Sequence, residues 1–197
     1  MNISVVTLPL WLVVSQWTLL FALGFLIIVM YRQVALLQQL KDRSSEREGL
    51  PIGEKAPAFD YIPVNSSTKT PTRFEPAGTW SLLVFADPSC VSCQGTMLAL
   101  ERIAPQVGQT LRLLVATTAD PAQIAAVDAF RTASFDIGNI RSDVSSRLYR
   151  TNITPFAHMI DPAGLIRAKD VALDESSIRK IVRKAERNPI NVAFTVS

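Results

Sequence analysis

Two cysteines, Cys90 and Cys93, are the clearest chemical signal of the sequence, and they are the only cysteines in it. They lie three positions apart, directly after the apolar run 82–86 and directly before a stretch with helical spacing. A C-x-x-C pair that a strand delivers to the start of a helix is typical of a thiol–disulfide redox site. Unpaired backbone N–H groups and the positive end of the helix dipole stabilise a thiolate there. We therefore predict that Cys90 is the nucleophile and that Cys93, one turn later, resolves the mixed disulfide.

Other interpretations of the cysteine pair stay open beside the redox one. The two thiols could be buried hydrophobic groups, or they could form a structural disulfide in a membrane-tethered scaffold. Together with the single histidine, His158, they could bind copper, which is the alternative function. Two cysteines and one histidine fall short of the four ligands of a structural zinc site. We predict that the chain uses no metal and no bound cofactor.

Three further polar residues, Asp87, Glu101 and His158, are weighed as possible partners of the cysteines. Asp87 precedes Cys90 by three positions and, with Pro88, is best interpreted as a turn residue; the functional alternative is proton transfer with the cysteines. Glu101 is best interpreted as a solvated residue of the following helix. His158 is best interpreted as a packed or surface histidine.

The elements around the cysteines follow from the spacing of apolar residues. Residues 80–86 form a nearly continuous apolar run, which predicts a buried strand, and residues 111–117 predict another. Residues 96–107 have apolar positions on one helical face, with Pro105 predicted to kink or stop that helix.

The remaining soluble sequence alternates strand and helix signals in the order of an α/β sandwich. A turn at Asp161–Gly164 predicts a hairpin, and Asp120-Pro121 and Asp174 predict helix starts. The predicted elements are strands at 59–64, 73–74, 156–160 and 165–168 and helices at 123–132, 143–149 and 174–187.

The N-terminal segment predicts a membrane anchor. No charged side chain occurs from Met1 to Tyr31, and the apolar stretch 8–30 matches the roughly 20 residues that span a bilayer. A cleaved signal peptide fits poorly, because no Lys or Arg precedes the stretch and no small-x-small site follows it. We predict a transmembrane anchor at 1–31, a helical stalk and polar linker at 32–50, a globular domain at 51–188 and a C-terminal tail at 189–197.

The charge of the chain excludes one class of partner. The formal net charge is +3, and the charged residues of the soluble part are scattered rather than clustered. The sequence therefore gives no indication of nucleic-acid binding.

Several motifs in order resemble the thioredoxin superfamily. Pro51–Phe59 matches a P-x-G-x-x-A-P-x-F motif of membrane-anchored members, Cys90–Cys93 matches the active-site pair, and Thr154-Pro155 matches the cis-proline loop. Within that superfamily the chain is most similar to the TlpA/ResA-like disulfide oxidoreductases, and especially to their methylamine-utilisation accessory (MauD-like) group. The resemblance implies a thioredoxin-like fold, a central mixed sheet flanked by helices, preceded here by one transmembrane helix.

The resemblance also implies an activity. Members of this kind exchange disulfides with cysteines of a protein partner, in disulfide formation or maturation of an exported protein, and a redox partner protein is expected. In relatives the loop at Thr154-Pro155 faces the cysteines, and its backbone pairs with the substrate strand. Copper-delivery relatives use C-x-x-x-C, whereas this chain has C-x-x-C. A peroxidatic cysteine needs a P-x-x-x-[TS]-x-x-C motif, but the residues seven positions before Cys90 and Cys93 are Leu83 and Ala86.

Two features of the sequence make opposite predictions about the side of the membrane on which the globular domain lies. Four basic residues follow the span and none precedes it, which by the positive-inside rule favours the cytoplasm: Arg32, Lys41, Arg43 and Arg47. The resemblance favours the extracytoplasmic side, where disulfides form and persist. We predict a single-pass membrane protein with an extracytoplasmic domain.

Overall fold

The computed structural model describes residues 10–65, 69–107 and 111–187. By its contacts the chain divides into two compact units, Met1–Ser44 and Ser45–Ser197. The predicted tail at 189–197 lies outside the described residues.

Helix α1, Leu10–Arg47, contains the apolar N-terminal segment. Its part Val14–Gln33 has a mean hydropathy of 1.9 and none of it is buried in the protein, so this helix is long and apolar enough to cross a membrane. The helix continues through residues 42–47, where the sequence predicted a linker. That prediction was wrong because the Asp, Arg, Ser and Glu residues of this range tolerate a helix, and Gly49, with φ +73°, is the first residue that ends one.

Within the described residues, seven strands form one mixed sheet in the order β2-β1-β5-β4-β3-β6-β7. Strand β3 is parallel to β4, and β4 is parallel to β5, whereas the other neighbours are antiparallel. The strands are β1 Phe59–Pro63, β2 Thr72–Phe74, β3 Trp80–Phe85, β4 Leu111–Thr117, β5 Asp136–Asn139, β6 Phe156–Ile160 and β7 Ile166–Val171. The helices are α2 Val91–Val107, α3 Pro121–Ala126, α4 Asp128–Arg131 and α5 Glu175–Arg187, with a π-helical turn at Val144–Leu148.

The continuous apolar runs became the central strands because both faces of the sheet are covered. Alternate residues of β3 point to opposite faces. Leu82 and Val84 join a core with α2 and α5, while Leu83 and Phe85 join a second core with β1, β2 and Tyr149. The β6–β7 hairpin and α5 occur where the sequence predicted them, and Asp174 accepts a hydrogen bond from the Ser177 N–H at the start of α5 (2.8 Å).

Two local predictions were wrong. Helix α2 ends at Val107 as predicted, with Pro105 inside it rather than at its end, but it begins at Val91, a turn earlier than predicted. The predicted helix at 123–132 is two short helices, because Val127 between them is extended (φ −111°, ψ 112°). Periodicity identified the buried Ile124 and Phe130 but cannot detect one extended residue within the pattern.

Strand β5 was missed altogether. Its sequence Asp-Ile-Gly-Asn has a low strand propensity, and it forms because it pairs along β4 from Leu114 to Thr117. Gly138 within it lies against the Tyr61 ring, where a Cβ would approach the ring Cδ2 to 2.6 Å. Tertiary pairing therefore determines this strand.

Candidate redox site

The cysteine pair lies at the start of helix α2, after the short connection that follows strand β3. After Phe85 the chain makes a turn in which the Cys90 N–H donates to the Asp87 carbonyl (3.1 Å). Cys90 immediately precedes the first residue of α2, and its own carbonyl accepts from the Cys93 N–H (3.0 Å). This is the end of the helix at which N–H groups and the dipole favour an anion.

The two thiols differ in exposure. Cys90 is partly exposed, Cys93 is completely buried, and neither forms a disulfide here. Burial raises the pKa of a thiol because it removes water from the thiolate. Burial therefore disfavours the thiolate more strongly at Cys93 than at Cys90.

Hydrogen bonds outweigh burial at Cys90. Partial burial opposes ionisation, but hydrogen bonds from the Cys93 thiol and N–H, from Thr154 and from the Ser92 N–H together lower the pKa of Cys90. A thiol with a lowered pKa that is also accessible is the form in which cysteine acts as a nucleophile.

At Cys93 burial dominates. It raises the pKa of Cys93 to about 12, with smaller contributions of either sign from Asp87, Cys90 and Thr154. The Asp87 N–H lies 3.4 Å from the Cys93 sulfur and can donate to it. Cys93 therefore stays protonated near neutral pH, and Cys90 is the thiol of the pair that ionises more readily.

The predicted substrate loop lies against Cys90. The Thr154–Pro155 peptide bond is cis, and the Cys90 thiol donates to the Thr154 carbonyl over 3.7 Å. On its other side the loop is held by the Ala172 N–H, which donates to the Pro155 carbonyl (3.2 Å). The structure thus brings together Cys90, Cys93 and Thr154, which are far apart in sequence.

The carboxylate of Asp87 makes turn contacts. Its Oδ1 accepts from the Ser89 N–H (2.8 Å) and from the Ser89 hydroxyl (2.6 Å), and it is the backbone of Asp87 that contacts Cys93. These contacts favour the turn interpretation, while proton transfer by Asp87 stays a prediction. Glu101 accepts from the Ser134 N–H (3.1 Å), so its carboxylate is engaged in a structural contact away from the cysteines.

His158 is buried on β6 and does not join the cysteines. Its ring lies among Phe85, Tyr149 and Phe156, with ring centroids 5.1–5.8 Å apart. Burial, with the nearby Lys169 charge, lowers the pKa of His158 to about 3, and neither ring nitrogen has a hydrogen-bond partner. The described residues contain no group of three His, Cys, Asp or Glu side chains that could hold a metal ion. The copper alternative thus has no ligand set in this part of the chain.

A crevice of about 310 Å³ beside Asp87 and Thr154 was not predicted. It lies past the carboxyl ends of the parallel strands β3, β4 and β5, which is where open α/β sheets commonly bind ligands. Its polar lining includes Thr118, Ser142 and Ser145. The available signal was a polar residue directly after each predicted buried strand, Asp87 after residues 80–86 and Thr118 after residues 111–117.

Comparison with known sequences gives one informative relative. No family model matches the chain. The chain is similar to the methylamine utilization protein MauD of Methylobacillus flagellatus, at 26% identity over 161 residues that cover 79% of this chain and 76% of the relative. The resemblance predicted from the motifs is confirmed.

Solved structures show the same fold at low identity. A protein of Chlorobium tepidum assigned as a thiol:disulfide interchange protein DsbE matches with a TM-score of 0.60 and 16% identity, covering 69% of this chain and 98% of that one. The thioredoxin domain of a thiol-disulfide oxidoreductase of Bacteroides vulgatus matches with a TM-score of 0.55 and 18% identity, covering 68% and 99%. AhpC of Mycobacterium tuberculosis matches with a TM-score of 0.55 and 12% identity, covering 73% and 97%. The predicted thioredoxin-like fold is confirmed.

Proposed function

We propose that this chain is a membrane-tethered thiol–disulfide oxidoreductase that acts on cysteines of a protein partner, in disulfide formation or maturation of an exported protein. One observation carries the proposal. An accessible Cys90 with a lowered pKa lies in front of a buried Cys93 and beside the Thr154 carbonyl. A structural disulfide requires no such difference between its two thiols.

The proposed exchange is a pair of thiolate–disulfide displacements. When the pair is reduced, the Cys90 thiolate attacks one sulfur of a partner disulfide, and the other partner sulfur leaves with the electron pair as a thiolate. Cys93, after losing its proton, then attacks the Cys90 sulfur of the mixed disulfide and releases the second partner thiolate. Two electrons have passed to the partner, and Cys90–Cys93 is oxidised. In the reverse direction a partner thiolate attacks Cys90 and Cys93 leaves.

Neither direction needs a bound cofactor, because the two electrons reside on the sulfur atoms themselves. Because its pKa is lowered, Cys90 is a better leaving group than Cys93. When a thiolate attacks the partner sulfur of the mixed disulfide, Cys90 is therefore released readily. The raised pKa of Cys93 keeps it from competing as the first nucleophile. This division of roles is the one predicted from the spacing of the two cysteines.

The surface around Cys90 supports a protein as the substrate. Val91 is 83% exposed, and Ile153 and Leu173 are each 38% exposed. Ile153 adjoins Thr154, and Leu173 follows Ala172, which is hydrogen-bonded to Pro155. Apolar side chains around a backbone carbonyl suit an extended peptide segment that carries the reacting cysteine, since main-chain hydrogen bonds give affinity and side-chain contacts give specificity.

The proposed tether is the apolar part of α1. Val14–Gln33 satisfies the length and composition of a single span. We place the domain on the extracytoplasmic side, because a disulfide made on an exported partner persists only in an oxidising compartment.

Trapping experiments on the full chain in detergent test the proposal. The wild-type protein should catalyse the reduction of insulin by dithiothreitol, and Cys90→Ser should abolish that catalysis. Cys93→Ser should accumulate a mixed disulfide through Cys90, seen by mass spectrometry and removed by excess reductant. The double variant Cys90→Ser/Cys93→Ser is the control and should trap nothing. Turnover by Cys90→Ser, or an active wild type whose Cys93→Ser form traps no partner, would contradict the mechanism.

A further inference from the structure

The residues that follow helix α1, here called the junction segment (Glu48–Leu50), are built into the globular domain. The Gly49 N–H donates to the Arg150 carbonyl (2.9 Å), and the Glu48 carboxylate accepts from the Asn152 N–H. Leu50 is only 3% exposed. Sequence analysis assigned these residues to a linker outside the domain, whereas in the structure they contact the loop that leads to Thr154.

A buried ammonium group holds the junction segment from the other side. The Lys169 Nζ donates to the Glu48 carbonyl (2.6 Å) and to the Gly49 carbonyl (3.1 Å), and Lys169 is 8% exposed. A buried ammonium group is destabilised when it loses its hydrogen-bond acceptors, because water cannot replace them there. The position of the junction segment is therefore coupled strongly to Lys169.

Gly49 fits closely over the residues beneath it. A Cβ at Gly49 would lie 2.5 Å from the His158 Nε2 and 2.7 Å from the Phe156 Cε1. His158 and Lys169 are paired across strands β6 and β7. Phe156 directly follows Pro155, so the segment lies over the strand that begins at the redox loop.

We propose that Glu48 and Lys169 are positioning residues for the redox site, holding the loop 150–154 through the junction segment so that Thr154 faces Cys90. The inference rests on the proposed function for its reaction, and on the contacts above for its geometry. It assigns to the segment after the membrane helix a part in the active site.

The loop itself shows why such support matters. Asn152, Ile153 and Thr154 are exposed, so side-chain burial does little to hold them. The backbone contacts on either side of Thr154 are the Asn152 N–H to Glu48 and the Pro155 carbonyl to the Ala172 N–H. Removing the first leaves the nearest preceding restraint at Thr151, whose N–H donates to the Ser145 carbonyl (2.8 Å). The Thr154 carbonyl would then be free to shift from Cys90.

The test uses two variants of the full chain in detergent that remove both the charge and the hydrogen bond, Glu48→Met and Lys169→Met. Their matched controls are Glu186→Met and Lys184→Met, which make the same changes at exposed positions near the end of α5. Two quantities are measured: the pH dependence of Cys90 alkylation by iodoacetamide, and the rate of mixed-disulfide formation with insulin in a Cys93→Ser background.

We expect both variants to slow mixed-disulfide formation by about tenfold, the effect of losing one hydrogen bond to a charged group. We also expect the alkylation profile of Cys90 to move to higher pH, because a hydrogen bond with the Thr154 side chain is one of the contacts that lower the Cys90 pKa. The controls should show neither change. If Lys169→Met fails to fold, Glu48→Met decides, since the Glu48 side chain lies at the surface end of the contact.

Rates and profiles equal to those of the controls would overturn the inference. A lower melting temperature with an unchanged Cys90 profile would overturn it too, because that is the result of a purely structural role. The proposed function is tested separately: if the Cys93→Ser protein with no other substitution forms no mixed disulfide at all, that function fails, while the alkylation profile still decides whether Glu48 and Lys169 position the site.

Discussion

Cys90 and Cys93 show how three sequence positions can separate two chemically identical groups. Cys90 directly precedes the first residue of α2 and receives hydrogen bonds. Cys93 lies one helical turn later, is 0% exposed and belongs to the core formed by β3 and α2. The helical turn between them is enough to move a sulfur from the surface into the interior. The same principle of burial explains His158, which is the one histidine of the chain and is neutral at physiological pH.

Selective alkylation is expected at the residue scale. With reduced native protein at pH 8, iodoacetamide should modify Cys90 and leave Cys93 free, since the pKa of Cys90 is lowered and that of Cys93 is raised to about 12. Peptide mass spectrometry gives the extent at each cysteine. In denaturant at the same pH the two should react alike, and equal modification of both in native protein would disprove the difference.

Acid sensitivity from His158 is a second expectation at this scale. The folded-state pKa is about 3 and the unfolded value about 6.5, so the unfolded chain binds the extra proton first. Stability is therefore complete above pH 6.5 and falls as the pH drops from 6.5 towards 3, by roughly 1.4 kcal/mol per pH unit.

The variant His158→Leu should remove this part of the acid dependence. Melting temperatures of wild type and variant in detergent, measured at pH 7 and at pH 4.5, give the comparison, and every other titratable group is common to the two. The wild type should lose more stability than the variant on acidification. Parallel losses would show that His158 is not responsible.

At the scale of elements, some strands and helices follow from their own sequence, whereas others form only because they pair with or pack against another segment. Central strands β3 and β4 were predicted because their apolar runs are buried on both faces, and α5 because its periodicity and its Asp174 start agree. Strand β5 forms only by pairing with β4. The junction segment was interpreted as a linker because its sequence is short and polar, yet contacts with Lys169 and the 150–152 loop order it.

Close packing over Gly49 leads to a prediction for this element. Gly49→Ala and Gly78→Ala both place a side chain at positive φ, +73° and +98°, which costs roughly 1–2 kcal/mol. Only Gly49→Ala also forces a Cβ against the rings of His158 and Phe156, whereas nothing lies within 4 Å at Gly78. Thermal unfolding should show a clearly larger loss for Gly49→Ala, and equal losses would argue against the close approach.

At the scale of the whole molecule, the chain contains an apolar helix and a thioredoxin-like domain. The described part of α1 exposes a run of large apolar side chains, including Phe21 and Phe25 at 72% and 71%. Such a surface is stable in a bilayer and unfavourable in water. Membrane attachment would confine the redox pair to partners that reach the same surface.

The sidedness of the domain can be measured with the protein's own thiols. Because both cysteines lie outside the apolar span, a membrane-impermeant maleimide should label Cys90 of the reduced protein in intact cells if the domain is extracytoplasmic. We expect labelling without permeabilisation, and a Cys90→Ser variant as the unlabelled control. Labelling that requires permeabilised cells would place the domain in the cytoplasm, as the basic residues after the span suggest.

Prediction from sequence succeeded for features that depend on residues close to one another along the chain. The Cys90–Cys93 spacing, the apolar span and the β6–β7 hairpin are local patterns, and the thioredoxin-like fold was inferred from motifs in order. Prediction failed at Val127 and at residues 42–47, where a single dihedral or a continued helix leaves no distinct pattern in composition. It could not choose between a surface and a packed position for His158, because burial depends on residues from other strands.

The cysteine pair and the apolar span were thus determined by sequence alone, since each depends on residue types within a few positions of one another. Tertiary structure decided what those residues face. The Cys90–Thr154 contact joins residues 64 positions apart, the Glu48–Asn152 contact joins residues 104 apart, and the Lys169–Glu48 contact joins residues 121 apart. Such contacts exist only once the sheet has formed, because its strand order brings the two ends of the domain to the same loop.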